Sequence, residues 1–451
     1  MMSLQQAAMA TGGRVSGDGD ARFKSVVTDS RSSVRDSLFV ALQGPTFDGH
    51  DYAVGVMASG AAACMLERRL PGVSPSIVVE DCRQALGQLA ADWRRRIPAR
   101  ICAITGSNGK TTVKEMLAAI LRRNAAVTST RGNLNNEIGL PLTLLQIEPG
   151  DRYAVVEMGM NHPGEISRLS RWAAPDVALI TNVAAAHLEG LGDINGVAAA
   201  KAEIFQGLAV DGVAIINADS PHAGYWQQLL EGRNVLRFGS AADADVRVLG
   251  DTDQRWQLQI GTAMATVTLQ LPGRHNRCNA LAAAAVAHAL GIEMADIVAG
   301  LESFQGVPGR MQPRQMNNGA LLYDDSYNAN PRSLQAALEV LVAQPGQRIL
   351  VLGDMAELGP SSEALHAECG RLAADYGIDL LFGFGSEVRH TCNSFGAGAR
   401  VFDQKSSLLA ALRSRLQADS VVLVKGSRCM HMEEIVAALC MANTSTRAAS
   451  C

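Results

Sequence analysis

Of the 451 residues in this chain, those from 105 to 112, Thr105-Gly106-Ser107-Asn108-Gly109-Lys110-Thr111-Thr112, constrain its fold most. They follow the apolar run Ile101-Cys102-Ala103-Ile104 and precede Val113, Met116, Leu117, Ile120 and Leu121, whose spacing puts them on one helix face. Strand, glycine loop and helix in that order belong to a parallel sheet covered by helices. The loop also has the chemistry of phosphate binding. Glycines let backbone N–H groups turn inward, the helix N-terminus favours negative charge, Lys110 can reach β- and γ-phosphates, and Thr111 can hold Mg²⁺. Ile104 stands where the full GxxxxGK[ST] pattern has its first glycine, so the alternative is an ordinary strand-to-helix turn.

Apolar runs recur at 153–156, 177–180 and 213–216 between helix-period segments, so the middle of the chain reads as a parallel sheet buried on both faces. Ahead of it, Leu38-Phe39-Val40-Ala41-Leu42 and Ile77-Val78-Val79 read as strands and 51–58 as a helix, forming a small α/β unit. Beyond it, a polar stretch with proline and glycine, 306–319, separates a third region. There 321–323, 349–352, 380–382 and 421–424 alternate with helices as a second, doubly wound sheet. The expected fold class is α/β in three domains, 1–85, 86–312 and 313–451, in keeping with roughly 150 residues per domain.

Composition narrows the partners. With 47% hydrophobic and 19% charged residues the chain can bury several cores. Against 44 Asp and Glu, 40 Lys and Arg leave a net charge of −4, and no basic block stands out beyond Arg94-Arg95-Arg96, which argues against nucleic acid. The longest apolar stretch, 280–287, is far short of the ~20 residues a membrane span needs, and the N-terminus lacks a signal-peptide layout. Nine cysteines, none spaced CxxC, argue against a disulfide framework or zinc cluster, so a cytoplasmic location is expected.

Three residues outside the loop are candidates. Glu157 ends the run 153–156, a position from which a carboxylate can hold the Mg²⁺ of a bound triphosphate; the alternative is a solvated strand end. Lys201, on a helix expected at 196–208, shares a stripe with Val197, Ile204 and Leu208. It either snorkels to water or is buried as a neutral amine, the form that takes up CO₂ as a carbamate and so becomes an anionic metal ligand. His187 follows the run 177–180 toward the carboxyl edge where open α/β sheets collect ligands; it is either a metal ligand or an ordinary loop histidine.

Together these residues resemble the Mur ligases, ATP-dependent amino-acid-adding enzymes of peptidoglycan synthesis. The loop 105–112 looks like that family's ATP loop. Gly132-Asn133-Leu134-Asn135-Asn136-Glu137-Ile138-Gly139-Leu140-Pro141 looks like its central asparagine motif, and Gly273-Arg274-His275-Asn276-Arg277-Cys278-Asn279-Ala280 like its adenine-side motif. The resemblance implies a UDP-sugar-binding first domain, a central ATPase domain with a P-loop and parallel sheet, and a Rossmann-like third domain. It implies ATP contacts from Gly106, Ser107, Asn108, Gly109, Lys110, Thr111, Thr112, Asn279, Arg310 and Asp325, with Arg310 near the γ-phosphate. It implies metal ligation by Thr111, Glu157, His187 and carbamylated Lys201, and substrate contacts from Asp29, Ser30, Arg31 and Asn136. Lys110, His187, Lys201, Asn136 and Arg310 would be the catalytic set.

Asp324-Asp325-Ser326-Tyr327-Asn328-Ala329-Asn330-Pro331 and Gly353-Asp354-Met355-Ala356-Glu357-Leu358-Gly359 look like the branch that adds D-alanyl-D-alanine. The neighbouring branch, which adds the third residue, carries an Asp-Asn-Pro-Arg motif late in its last domain; Ala329-Asn330-Pro331-Arg332 is a partial look-alike elsewhere and is read as coincidence. The implied reaction joins UDP-MurNAc-tripeptide and D-Ala-D-Ala at the expense of ATP, with Mg²⁺, on a monomer with small-molecule partners only. A folylpolyglutamate synthase-like ligase and an ATP-driven switch protein are the rival expectations.

Overall fold

The computed structural model describes residues 1–184, 188–250 and 255–440. The N-terminal part pairs β1 (Met2–Ser3) with β3 (Arg22–Phe23) around α1 (Leu4–Thr11), whose first turn is closed by a reciprocal Ser3–Gln6 capping box. A five-stranded sheet follows, ordered β2-β7-β6-β5-β4, from β2 (Arg14–Ser16), β4 (Ser25–Val27), β5 (Ser37–Val40), β6 (Ala63–Leu66) and β7 (Ser76–Val78). All its pairings are parallel except the β2 edge. The helix expected at 51–58 begins instead as one 3₁₀ turn, Gly49–Tyr52, because the Asp48 carboxylate accepts the His50 N–H; α2 (Ala53–Ala58) continues it.

Helix α3 (Cys82–Arg96) starts where the Asp81 side chain accepts the N–H groups of Arg83 and Gln84. The expected boundary at residue 85 lies inside it. Its apolar face, Leu86, Leu89, Ala90 and Trp93, is buried in one continuous core with Leu38, Met65 and Ile77 of the first sheet, Ile101 of the second, and Leu144 and Leu169 of the helices that cover the second.

The second sheet has nine strands, ordered β16-β15-β14-β13-β12-β11-β8-β10-β9. Its parallel part comprises β8 (Arg100–Thr105), β9 (Val127–Ser129), β10 (Tyr153–Glu157), β11 (Val177–Ile180), β12 (Val213–Asn217), β13 (Asn234–Gly239) and β14 (Val246–Leu249). Both faces are covered, hence the unbroken apolar runs. Ile101 and Ala103 face the core under α5 (Gly139–Leu145), α6 (Glu165–Ala173) and α8 (Ile194–Ala202), whereas Cys102 and Ile104 face α4 (Lys110–Leu121), α10 (Arg274–Ala289) and α11 (Met294–Ser303). The short helices α7 (Leu188–Leu191) and α9 (Ala223–Leu229) complete this part.

Two antiparallel strands, β15 (Arg255–Ile260) and β16 (Ala263–Thr268), extend the sheet. The helix expected at 196–208 ends early, passing into a 3₁₀ segment at Glu203–Gly207. There the Glu203 carboxylate accepts the N–H groups of Gly164 (2.8 Å) and Ser167 (3.1 Å) at the start of α6.

The third sheet is ordered β17-β18-β22-β19-β20-β21, from β17 (Gln312–Gln315), β18 (Leu321–Asp325), β19 (Arg348–Gly353), β20 (Leu380–Phe384), β21 (Ala399–Phe402) and β22 (Val421–Lys425). Helices α12 (Pro331–Val342), α13 (Ser362–Asp375), α14 (Val388–Phe395), α15 (Lys405–Arg413) and α16 (Glu433–Cys440) cover its two cores. The stretch 306–319 is therefore not wholly a connector: β17 lies in it as an antiparallel edge, the one place in a sheet where Pro313 loses no ladder bond. Among the described residues no helix is long and apolar enough to cross a membrane.

Candidate active site

The carboxyl ends of β8, β10 and β11 and the carboxyl end of β18 face one cavity of about 590 Å³. The loop 105–112 forms its floor. Gly109 holds a φ of 81°, and a Cβ there would overlap the Asn279 amide, while a Cβ at Gly106 would overlap the Thr181 hydroxyl. The segment after β11 fixes the loop: Ser107 N–H donates to Asn182 O (3.0 Å), Asn108 N–H to Asn182 Oδ1 (3.0 Å), and Thr181 Oγ1 to Asn108 O (2.7 Å). Those N–H groups are spent on the scaffold, which leaves the first turn of α4, including Thr112, to present its N–H groups at the open helix end.

Lys110 Nζ donates to Gly106 O (2.7 Å). Burial holds its pKa below the ordinary lysine value; Glu157 opposes that shift and Arg310 adds to it. The Thr111 hydroxyl donates to Glu157 Oε2 (3.0 Å), Asn135 Nδ2 donates to Glu157 Oε1 (2.8 Å), and Arg310 Nη2 donates to Thr111 Oγ1 (3.3 Å). Thr111 and Glu157 are hard oxygen donors side by side, the set that suits an Mg²⁺ completed by phosphate and water. Among the described residues no three His, Cys, Asp or Glu side chains gather closely enough to hold a metal by themselves.

Asn136, expected to meet substrate, lines the cavity but has its Oδ1 engaged by Gly139 N–H (2.9 Å) and Ile138 N–H (3.2 Å) at the start of α5. Its neighbour Asn135, passed over in the sequence, is the residue that touches Glu157. Asn279 and Lys201 also line the cavity. Lys201 is buried rather than snorkelled, 2% exposed, and burial first and the Lys110 charge second hold its pKa well below the ordinary value. His187 lies outside the described residues.

Asp325 reaches the cavity wall with both oxygens occupied, Oδ1 by Met311 N–H (3.1 Å) and Oδ2 by Lys425 Nζ. Asp29 and Ser30, half-buried, and Arg31, exposed, are not among the residues lining the cavity. The Arg31 guanidinium and N–H hold the Asp29 carboxyl at about 2. The run 329–332 is not idle. Asn330 Nδ2 donates to Asn108 Oδ1 (2.8 Å) and Arg332 Nη1 to Val183 O (2.6 Å), bringing the start of α12 onto the glycine loop. A polar helix cap is an unremarkable sequence signal, so only the tertiary contact reveals this role.

A model of the Mur ligase middle domain matches residues 104–287, and one of the Mur ligase glutamate ligase domain matches 309–428. The UDP-N-acetylmuramoyl-tripeptide--D-alanyl-D-alanine ligase of Escherichia coli K12 is 45% identical, the alignment covering 93% of this chain and 94% of that protein. A crystal structure of MurF from Acinetobacter baumannii superposes with a TM-score of 0.92 at 36% identity, covering 97% of this chain and 98% of the other. MurF of Thermotoga maritima in complex with ADP gives 0.82 at 29%, covering 92% and 96%. With the glycine loop, the Thr111–Glu157 pair and the capping third domain in that order along one chain, this protein belongs to the Mur ligase family.

Proposed function

We propose that this chain joins D-alanyl-D-alanine to UDP-N-acetylmuramoyl-tripeptide with cleavage of ATP to ADP and phosphate, in the cytoplasm. The observation that carries the reading is one cavity in which Lys110, Thr111, Glu157 and Arg310 converge on a helix N-terminus. That arrangement supports phosphoryl transfer. End-to-end likeness to D-alanyl-D-alanine-adding ligases supports the choice of substrates.

A carboxylate is a poor acyl donor. The γ-phosphoryl group passes to a carboxylate oxygen of the tripeptide as the bond to ADP breaks, giving an acyl phosphate. The dipeptide amine then attacks its carbonyl carbon, the C–O bond breaks with its electron pair going to phosphate, and the amine's proton passes to solvent or the departing phosphate. Lys110 and Arg310 offset the charge on the moving phosphoryl group, and the α4 N-terminus adds backbone donors. Thr111 and Glu157 would hold Mg²⁺, which when bound draws phosphate oxygens into line and neutralises them. As a neutral amine Lys201 would take up CO₂ with loss of a proton to give a carbamate, and that carbamate together with His187 would hold a second metal ion. The buried amine supports the first half of that assignment. Asn279 and Asp325 would contact the nucleotide. The five-stranded part, the nine-stranded part and the six-stranded part serve the UDP-sugar, ATP and the dipeptide respectively.

ADP release tests the whole reading. It should require UDP-MurNAc-tripeptide and D-Ala-D-Ala together; turnover of ATP with neither present would instead describe a nucleotide-driven switch. Asp29, Ser30 and Arg31, outside the cavity lining, are assigned to the nucleotide-sugar. Arg31→Ala should raise the KM for UDP-MurNAc-tripeptide about tenfold, the loss of one charge-assisted contact, and leave that for D-Ala-D-Ala within about twofold. Equal changes in both would remove the first unit from substrate recognition.

A further inference from the structure

Arg310 is held in an unusual way for a cavity-lining guanidinium. No carboxylate pairs with it among the described residues. Instead its Cζ sits 3.9 Å from the centre of the Tyr327 ring, close enough for face-to-face stacking, and Arg428 lies 5.7 Å from the same ring centre. Arg428 is itself paired with Glu433 (2.8 Å). Arg310 Nη2 reaches Thr111 Oγ1, while its Nε is buried without an acceptor among the described residues. An unsatisfied buried donor costs free energy unless something later fills it.

The backbone enforces the stack. Tyr327 N–H donates to Gly309 O (3.1 Å), and Gly309 holds a φ of 73° in which a Cβ would lie 3.2 Å from Tyr327 Cβ. A residue with a side chain at 309 would be strained by its φ and crowded by the tyrosine.

From this geometry we propose that Tyr327 is the positioning residue for Arg310, presenting its guanidinium to the phosphoryl group being transferred. This rests on the assignment of Arg310 to the γ-phosphate made above. A carboxylate partner would fix Arg310 equally well but would cancel its charge and consume its N–H groups. An aromatic face binds the flat side of the guanidinium and leaves the in-plane N–H edge and the full charge for an incoming oxygen. Tyr327 follows β18 in the third sheet, and Thr111 lies in α4 against the second, so the stack makes delivery of Arg310 depend on where the third domain sits.

The test is a double-mutant cycle in the full-length protein, read as kcat for ADP release with all substrates present. Tyr327→Leu should lower kcat about tenfold, as loss of a partly desolvated stacking contact allows, with the KM for D-Ala-D-Ala within about twofold. Tyr327→Phe and Tyr327→Trp, which keep the ring face, should stay within about threefold of wild type. On an Arg310→Ala background Tyr327→Leu should cost less than about twofold, because the guanidinium it positions at the phosphate is gone. Tyr327→Gln gives the same reading should the leucine variant fold poorly.

Additive losses in the cycle, or a phenylalanine variant as slow as the leucine one, would overturn the positioning role while leaving Arg310 at the phosphate. Wild-type turnover by Arg310→Ala alone would remove the phosphate assignment itself, and this inference with it.

Discussion

Lys110→Ala should fold and melt like the wild type yet lose about a thousandfold in kcat, roughly 4 kcal/mol of transition-state stabilisation. The size follows from where the ammonium sits. It is held over the glycine loop by Gly106 O, close to both Glu157 and Arg310, at the end of α4 where the β- and γ-phosphates would lie. Its burial keeps water from screening the charge, so no solvent cation replaces it. Steady-state kinetics with a thermal melt decides the matter: wild-type kcat with unchanged ATP affinity would end the phosphate-loop assignment.

Lys201→Ala is the second large effect, an expected loss of about a thousandfold or more with little change in ATP binding. A buried ammonium beside Lys110 and a divalent cation would be unfavourable by desolvation and by repulsion, whereas a carbamate would reverse the sign. Formate or acetate should partly restore turnover to the alanine variant by supplying the missing carboxylate. Lys201→Arg should remain inactive, since arginine keeps the charge and forms no carbamate. An arginine variant as fast as wild type, or mass spectra of the intact active protein and rescue experiments that both come back blank, would dismiss the carbamate.

What could be read from the sequence follows physical lines. Strands buried on both faces announce themselves as apolar runs, and 101–104, 153–156, 177–180 and 213–216 all lie within observed strands. The antiparallel extension carries no unbroken apolar run: β15 alternates, with Trp256, Leu258 and Ile260 buried and Gln257 exposed between them, the weaker signal of a half-buried strand. Nor did hydropathy reveal β17, an edge strand of polar residues and proline. At the site, the glycine loop and Glu157 were legible because strand ends and loop spacing are local facts. Asn135, Tyr327, Asn330 and Arg332 were not, since each acquires its role only when a segment many residues away folds against it. The polar lysine on an apolar stripe marked Lys201 as odd, but its burial could be decided only by the packing of α8.

Helix α3 carries a practical lesson for anyone cutting this protein into pieces. Its apolar face is shared by the first and second sheets, and at Gly87 it lies so close to the Trp172 ring of α6 that even a methyl group would collide. A fragment ending before residue 82 would lose the lid of its own core, and one beginning after residue 96 would bare the faces of α5 and α6 against which Leu86, Leu89 and Trp93 pack. The two halves should therefore unfold as a single cooperative unit. Calorimetry should record one melting event for residues 1–305, and a second, separable one for the six-stranded remainder.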